Sequence, residues 1–208
     1  PVALVEGVTP ASQSLTVTDV SVTLTQYGGL ITISDVVQDT HEDPVLNESV
    51  TLLGEQAAQV VERVRYGTLR AGVNVLIANG VSRNAINTPV SISVQRRAVR
   101  ALKRQNARPI TKIVRSTAAY GTENVAPGFV ALFHPDLDSD VRNLPGFVPA
   151  EKYGTMTPWE NELGKCEDVR YVSSTIFAPF GDAGGDKTGA SGTCLSASGT
   201  KADVYPIL

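Results

Sequence analysis

The chain has 208 residues, of which 42% are hydrophobic and 19% are charged, and its formal net charge is −3. No apolar run approaches the roughly 20 residues that a membrane-spanning helix needs, which excludes an integral membrane protein. Two cysteines, Cys166 and Cys194, are too few for a disulfide scaffold and fit a reducing compartment. One disulfide bridge between them stays an alternative.

Charge is divided unevenly along the chain. The first 62 residues contain nine acidic residues and neither Lys nor Arg, whereas the remaining residues contain all 18 basic residues and 12 acidic ones. An acidic arm therefore precedes a basic body. If the arm extends away from its own body, the body of another copy is its natural partner, because patches of opposite charge steer an encounter. The alternative is a chance clustering of charges on solvated faces.

The arm begins with a pattern typical of strands. Between residues 15 and 35, apolar residues such as Leu15, Val17, Val22 and Leu24 alternate with Thr and Ser. With residues 2–8 as the partner strand, the pattern predicts a long two-stranded ribbon. Such a ribbon is marginal alone and needs a surface to lie on, which is the first indication of a partner.

A long helix is predicted next, over Asp43–Ala71. Asp43 is a suitable N-cap and Pro44 suits the first helical position, and Gly72 is a suitable stop. Apolar residues recur three or four positions apart, at Leu46, Val50, Leu53, Ala57, Val60, Val61 and Val64. A helix of that length measures roughly 42 Å. We expect packing against the rest of the protein to support it.

The rest of the chain predicts a mixed α+β body. A helix is expected over residues 94–105 with Ser91 or Ser93 as its cap, and a short one after Pro135. Strands are expected at 111–118, 129–133 and 169–176. Residues 181–201 contain six glycines and predict a flexible surface loop, and Val204–Leu208 predicts the start of a strand cut short.

We find no motif that carries catalysis. Gly181–Thr188 has an Asp where a phosphate-binding loop requires glycine, and no helix pattern follows it. Asp136, Asp138 and Asp140 begin like a calcium loop, but Val141 and Phe147 stand where Gly and Glu are required. Adding His134 gives a conceivable metal cluster, yet a helix would scatter these side chains, and acids in a first turn more often interact with the helix dipole. We predict no enzyme, no cofactor and no metal.

The basic helix is the better candidate for function. Its bases are Arg96, Arg97, Arg100, Lys103 and Arg104, with Arg108 beyond its end. Contact with phosphates is one interpretation, but no aromatic residue is interleaved for stacking on bases. A solvated basic face, or a docking site for the acidic arm of a neighbour, is at least as well supported.

The order of these parts resembles the major capsid proteins of tailed bacteriophages with the Hong Kong 97-type fold, and more narrowly the family of phage N-four. The resemblance lies in short stretches that follow one another in the expected order: Glu6–Pro10, Tyr27–Gly28, Ile33–Asp35, Glu42–Val45, Leu53–Ala57, Leu69–Gly72, Ala101–Arg104, Arg108–Ile110, His134–Leu137, Leu144–Phe147 and Tyr153–Gly154.

The resemblance implies a division into four parts. Residues 1–35 would be the extended β-ribbon loop that reaches over an adjacent subunit. Residues 36–75 would be a peripheral domain built on the spine helix, 76–195 a mixed α/β axial domain, and 196–208 the start of a returning strand, truncated here.

The resemblance also implies a structural subunit of an icosahedral viral capsid, assembled in the host cytoplasm and enclosing packaged DNA. Its partners would be copies of itself in hexamers and pentamers, scaffolding, portal and decoration proteins, and DNA through non-specific contact, with no membrane. An encapsulin-like compartment shell is the alternative of the same class, and a DNA-binding module that uses residues 94–108 is the alternative of another class. The expected assembly contacts are Glu6, Asp19, Asp35, Asp39 and Glu42 on the arm, and Arg96, Arg97, Arg100 and Arg104 on the basic helix.

Overall fold

The computed structural model describes residues 3, 6–9, 12, 14–40, 44–115, 121–154, 157–187 and 199–208. The chain divides into two compact units, Pro1–Leu53 and Gly54–Leu208.

The first unit contains little regular structure. Residues 14–34 form no strand, and a short helix, α1 (Asp35–Thr40), follows them. No strand forms over residues 14–34 of the single chain, and residues 2, 4 and 5 of the expected partner strand lie outside the described residues, so the β-ribbon stays a prediction. A two-stranded ribbon buries too little apolar surface to hold itself together, and nothing covers the apolar side chains of this segment, which are exposed.

The long helix was predicted correctly. Helix α2 spans Val45–Arg70, which is 26 residues, or about 39 Å at 1.5 Å per residue. Its first hydrogen bond joins the Glu48 amide to the Pro44 carbonyl, so Pro44 stands at the helix entrance, and the expected cap Asp43 lies outside the described residues. Tyr66 is its buried residue: its ring meets Phe177 edge-on with the centroids 5.3 Å apart.

The second helix was also predicted correctly. Helix α3 spans Ile92–Arg104 with Ser91 as the N-cap residue. The Ser91 hydroxyl makes no capping bond to the helix backbone, and its oxygen lies 2.9 Å from the Ser93 hydroxyl instead.

The second unit contains a mixed five-stranded sheet in the order β1-β2-β5-β4-β3. Its strands are β1 (Ile110–Arg115), β2 (Gly121–Phe133), β3 (Phe147–Pro149), β4 (Glu162–Cys166) and β5 (Val169–Ser173). β2 and β5 run parallel, with Phe129 opposite Val169, and the other neighbours are antiparallel. The chain is thus α+β, as expected.

Strands β3 and β4 were not predicted. β3 has only three residues and ends in Pro149, a composition that indicates a turn rather than a strand. β4 carries Gly164 in place of a β-branched residue, which weakens the strand pattern. Glycine is required there because a Cβ atom would lie 2.4 Å from the Val148 carbonyl oxygen of the neighbouring strand.

The core lies between the sheet and the helices that follow Pro135. Those helices are a 3₁₀ turn, Pro135–Leu137, and α4 (Asp138–Arg142), in agreement with the expected short helix. The buried cluster consists of Ala131, Phe133, Leu137, Val141, Leu144, Cys166, Val169 and Tyr171. Cys166 is a packed thiol in this cluster, and burial raises its pKa; Cys194 lies outside the described residues.

The glycine-rich loop corrects a second expectation. Residues 188–198 lie outside the described part, but the loop's start is packed rather than a free surface segment. Gly184 and Gly185 are buried, and their amides donate to the carbonyls of Ala202 and Ile86 at 2.8 Å. Farther on, Leu208 exchanges two backbone hydrogen bonds with Leu132, without forming a regular strand.

Within the described residues, no helix combines the length and the apolarity that crossing a membrane requires.

Candidate assembly surfaces

The acidic residues expected to make contacts lie on the surface of the first unit. Glu6, Asp19, Asp35 and Asp39 are exposed, the last two on α1. Glu42 lies outside the described residues. Because these side chains are exposed, they are available to a cationic partner.

Helix α3 is anchored to the sheet by one buried amide. The Gln95 side chain donates from Nε2 to the Cys166 carbonyl at 2.7 Å and accepts at Oε1 from the Tyr171 hydroxyl at 2.8 Å. Burial raises the pKa of Tyr171, so its hydroxyl stays a donor. Because both ends of the amide are used, α3 has one rotational setting, and that setting decides which of its bases face outward.

We expect Gln95→Leu to lower the free energy of unfolding by about 2 kcal/mol, because it removes two buried hydrogen bonds, to the Cys166 carbonyl and from the Tyr171 hydroxyl. Urea denaturation of dissociated subunits measures this change. Gln105→Leu, at the exposed end of the same helix, is the control and should change the value by less than about 0.5 kcal/mol. Equal effects of the two substitutions would contradict the anchoring role.

Two of the α3 bases are held within the chain. The turn between β4 and β5 presents Glu167 and Asp168 to the helix. The Arg96 guanidinium binds the Glu167 carboxylate through two nitrogens, and Lys103 Nζ lies 2.5 Å from Asp168 Oδ2. Arg96, expected to contact another copy, therefore has a partner in its own subunit.

The Arg96 contact lowers the pKa of Glu167, since hydrogen bonding favours the charged carboxylate. A lowered pKa means that the contact contributes fully above the ordinary glutamate value of about 4.3 and is lost as the pH falls through the folded-state value. We expect an NMR titration of the Glu167 carboxyl to show a midpoint below that value. Arg96→Gln should raise the midpoint, while Arg97→Gln should not; an unchanged midpoint in Arg96→Gln would contradict the assignment.

Three other bases form what we call the arginine stripe: Arg97, Arg100 and Arg104. Their spacing of three and four residues places them on one side of α3, over about 10 Å of its axis. All three are exposed, and in the described part of the chain no carboxylate forms an ion pair with them. Arg100 and Arg104 line the same groove as Arg96, Lys103 and the β4–β5 turn, so the bases of α3 differ in their ion-pair partners rather than in the face they share.

A second kind of exposed surface is apolar. Val20, Val22 and Leu24 are 82%, 79% and 93% exposed, and most of the other apolar residues between positions 15 and 31 are equally uncovered. On α2, Leu46, Val50, Val61 and Val64 are also exposed. Large apolar surfaces that stay exposed on a protein mark sites of protein association.

The candidate metal residues take part in structural contacts. Asp136 Oδ2 accepts a hydrogen bond of 2.6 Å from the Tyr205 hydroxyl and lies 3.2 Å from His134 Nδ1. Asp138 has a raised pKa because it is partly buried, and Asp140 is buried. No group of His, Cys, Asp and Glu side chains in the described residues has the arrangement of a metal site.

Two clusters were missed in the sequence. In the first, Arg170 and Glu162 lie buried together, with Arg170 Cζ 4.7 Å from the centre of the Trp159 ring. In the second, the guanidinium carbons of Arg70 and Arg83 lie 3.5 and 3.7 Å from the centre of the Phe180 ring. The second cluster joins residues far apart in the chain, so local spacing carried no signal for it. The first lies within residues 159–170 and depends on the pairing of β4 with β5, and β4 was not predicted.

Residues 17–194 match the model of a protein family described as phage capsid protein, a stretch that covers well over half of the chain. No curated protein matches the chain.

Proposed function

The chain belongs to a family of phage capsid proteins, and on this premise we propose that it assembles with copies of itself into the icosahedral shell that encloses packaged DNA. The proteins of this family are structural proteins of the virion capsid. In the proposed assembly, hexamers and pentamers close into a shell, and closure combines many weak contacts into a stable whole.

The exposed apolar segment carries this proposal. Fully burying one Val or Leu side chain contributes about 1.5–3 kcal/mol, and Val20, Val22 and Leu24 bury almost nothing in the single chain. A segment of this composition gains stability only when another surface covers it. A neighbouring copy supplies that surface in the shell, where residues 1–35 serve as the extended loop and pair as the β-ribbon.

The remaining parts follow the Hong Kong 97-type plan in this proposal. Residues 36–75, which contain α2 and all of α1 except Asp35, form the peripheral domain with α2 as the spine helix. Residues 76–195 form the axial domain around the five-stranded sheet, and 196–208 lead into a returning strand. The 26-residue length of α2 and the α+β content support this plan.

The proposed subunit has no catalytic role. Its partners beside its own copies would be scaffolding, portal and decoration proteins, together with packaged DNA through non-specific contact. Assembly would take place in the host cytoplasm, without a membrane.

Negative-stain electron microscopy of the purified protein at moderate salt tests the proposal. Closed shells, or rings of five or six subunits, are the expected result. Particles no larger than single subunits at every protein concentration, with or without phage scaffolding protein, would contradict it. Shells that contain a protein cargo instead of DNA when isolated from the producing cell would favour the encapsulin-like compartment.

The arginine stripe supports a second candidate function of a different class, that of a DNA-binding module. Arg97, Arg100 and Arg104 are exposed on one face of α3, which suits contact with phosphates. Filter binding of a DNA duplex to dissociated subunits discriminates between the two: nanomolar affinity with a steep dependence on salt would favour the module.

A further inference from the structure

We propose that the arginine stripe of α3 binds the acidic segment 35–43 of a second copy of this chain. The inference rests on the proposed function, which it extends by naming one contact between subunits. It also removes Arg96 from the residues of α3 that were expected to contact another copy.

The stripe is available because the structure divides the bases of α3 into two sets. Arg96 and Lys103 face the β4–β5 turn and are held by Glu167 and Asp168. The Gln95 anchor fixes this rotation of the helix. The three arginines of the stripe are exposed, and Arg100 and Arg104 border the groove that Glu167 and Asp168 also line.

Segment 35–43 is the matching acidic stretch of the sequence; residues 35–40 form α1, and residues 41–43 lie outside the described residues. It contains four carboxylates in nine residues and lies within the first 62 residues, which have no Lys or Arg. Asp35 and Asp39 are exposed on α1. They are four residues apart and hence about 6 Å along a helix, which is also the spacing of Arg100 and Arg104. Two helices could therefore bring these pairs into register, and Arg binds carboxylates through two nitrogens at once.

A peptide partner fits this surface better than nucleic acid does. The stripe carries no aromatic side chain on which a base could stack, and Glu167 and Asp168 at its border disfavour a continuous polyanion. A second copy supplies a short acidic segment at the high local concentration of a shell, and complementary charges set the register between copies.

A charge exchange between two variants tests the contact. One variant carries Arg97→Glu, Arg100→Glu and Arg104→Glu, so that its stripe and its segment are both acidic. The other carries Asp35→Arg, Asp39→Arg and Asp43→Arg, so that both are basic. We expect each variant alone to associate at least about tenfold more weakly than the wild type and to form no shells. In an equimolar mixture the opposite charges meet between chains, and association should return to within about threefold of the wild type.

Sedimentation velocity measures the association, and electron microscopy detects the shells. The matched control carries Arg97→Lys, Arg100→Lys and Arg104→Lys, which keeps the charge and should assemble. Raising the salt should weaken wild-type association, because exposed ion pairs are screened.

Three results would overturn the inference. The first is that both charge-reversed variants assemble as the wild type does, which would leave the proposed function intact. The second is that the mixture fails while a single chain with all six substitutions assembles, which would place the pairing within one chain. The third is that the stripe variant assembles but loses a DNA binding that the wild type has, which would assign the stripe to nucleic acid. Failure of the wild type itself to form particles would instead contradict the proposed function.

Discussion

Replacing Val20, Val22 and Leu24 with aspartate is expected to abolish assembly while leaving the free energy of unfolding of the single subunit unchanged. All three side chains are exposed, so a charge costs the isolated chain almost nothing. In the proposed shell the same side chains are covered by a neighbouring copy, and each buried Val or Leu contributes about 1.5–3 kcal/mol to that contact. An unpaired carboxylate buried there would add a desolvation cost.

The control uses the polar residues that alternate with these three. Ser21→Asp, Thr23→Asp and Thr25→Asp add the same charge at exposed positions of the same segment. In an extended segment, successive side chains point to opposite sides, so the control variant should still form shells by electron microscopy. Assembly by both variants would show that this segment is not buried in the shell, and failure of both would attribute the effect to charge rather than to lost burial.

Removing the buried carboxylate of Glu162 should destabilise the second unit by about 3–5 kcal/mol, because it breaks a buried ion pair by taking away one of its two members. The side chains of Arg170 and Glu162 are only 3% and 0% exposed, and Arg170 Nε lies 3.6 Å from Glu162 Oε1. The carboxylate also accepts bonds of 2.7 Å from the Tyr153 hydroxyl and from the Trp159 amide. Glu162→Ala therefore removes three interactions at once.

Urea denaturation of dissociated subunits measures this effect, with the fluorescence of Trp159, the single tryptophan of the chain, as a probe in the same cluster. Glu160→Ala, at an exposed position two residues away, is the control and should change the free energy of unfolding by less than about 0.5 kcal/mol. Glu162→Gln keeps the acceptor oxygen and should give an intermediate loss. If Glu162→Ala were as stable as the control, the ion pair would not support the unit.

The two kinds of surface have different consequences for association. The apolar segment supplies contact energy without specifying register closely, because hydrophobic burial is non-directional. The charges of α1 and of the arginine stripe supply register and orientation, but each exposed ion pair adds only about 0.2–1 kcal/mol. A shell that depends on both would be expected to loosen in high salt without dissolving.

Local patterns in the sequence determined the elements whose evidence is itself local. The spacing of Val50, Leu53 and Ala57 predicted α2, since a helix repeats every 3.6 residues and needs no information from elsewhere in the chain. The same holds for α3, for the strands expected at 129–133 and 169–176, which correspond to the end of β2 and to β5, and for the uneven charge, which is read directly from composition. The resemblance to phage capsid proteins, which also rests on short ordered stretches, was confirmed by the match over residues 17–194.

Tertiary structure decided the properties that depend on distant partners. Sequence spacing placed Arg96, Arg100, Lys103 and Arg104 on much the same face, but the turn at Glu167 and Asp168, more than 60 residues away, holds two of them and leaves the others exposed. The burial of Gly184 against Ala202 likewise has no local signature, and the pairing of Glu162 with Arg170 depends on the β4–β5 hairpin that brings the two side chains together. The ribbon shows the same principle: alternation of apolar residues indicates which side chains seek burial, and only a covering surface decides whether a strand forms.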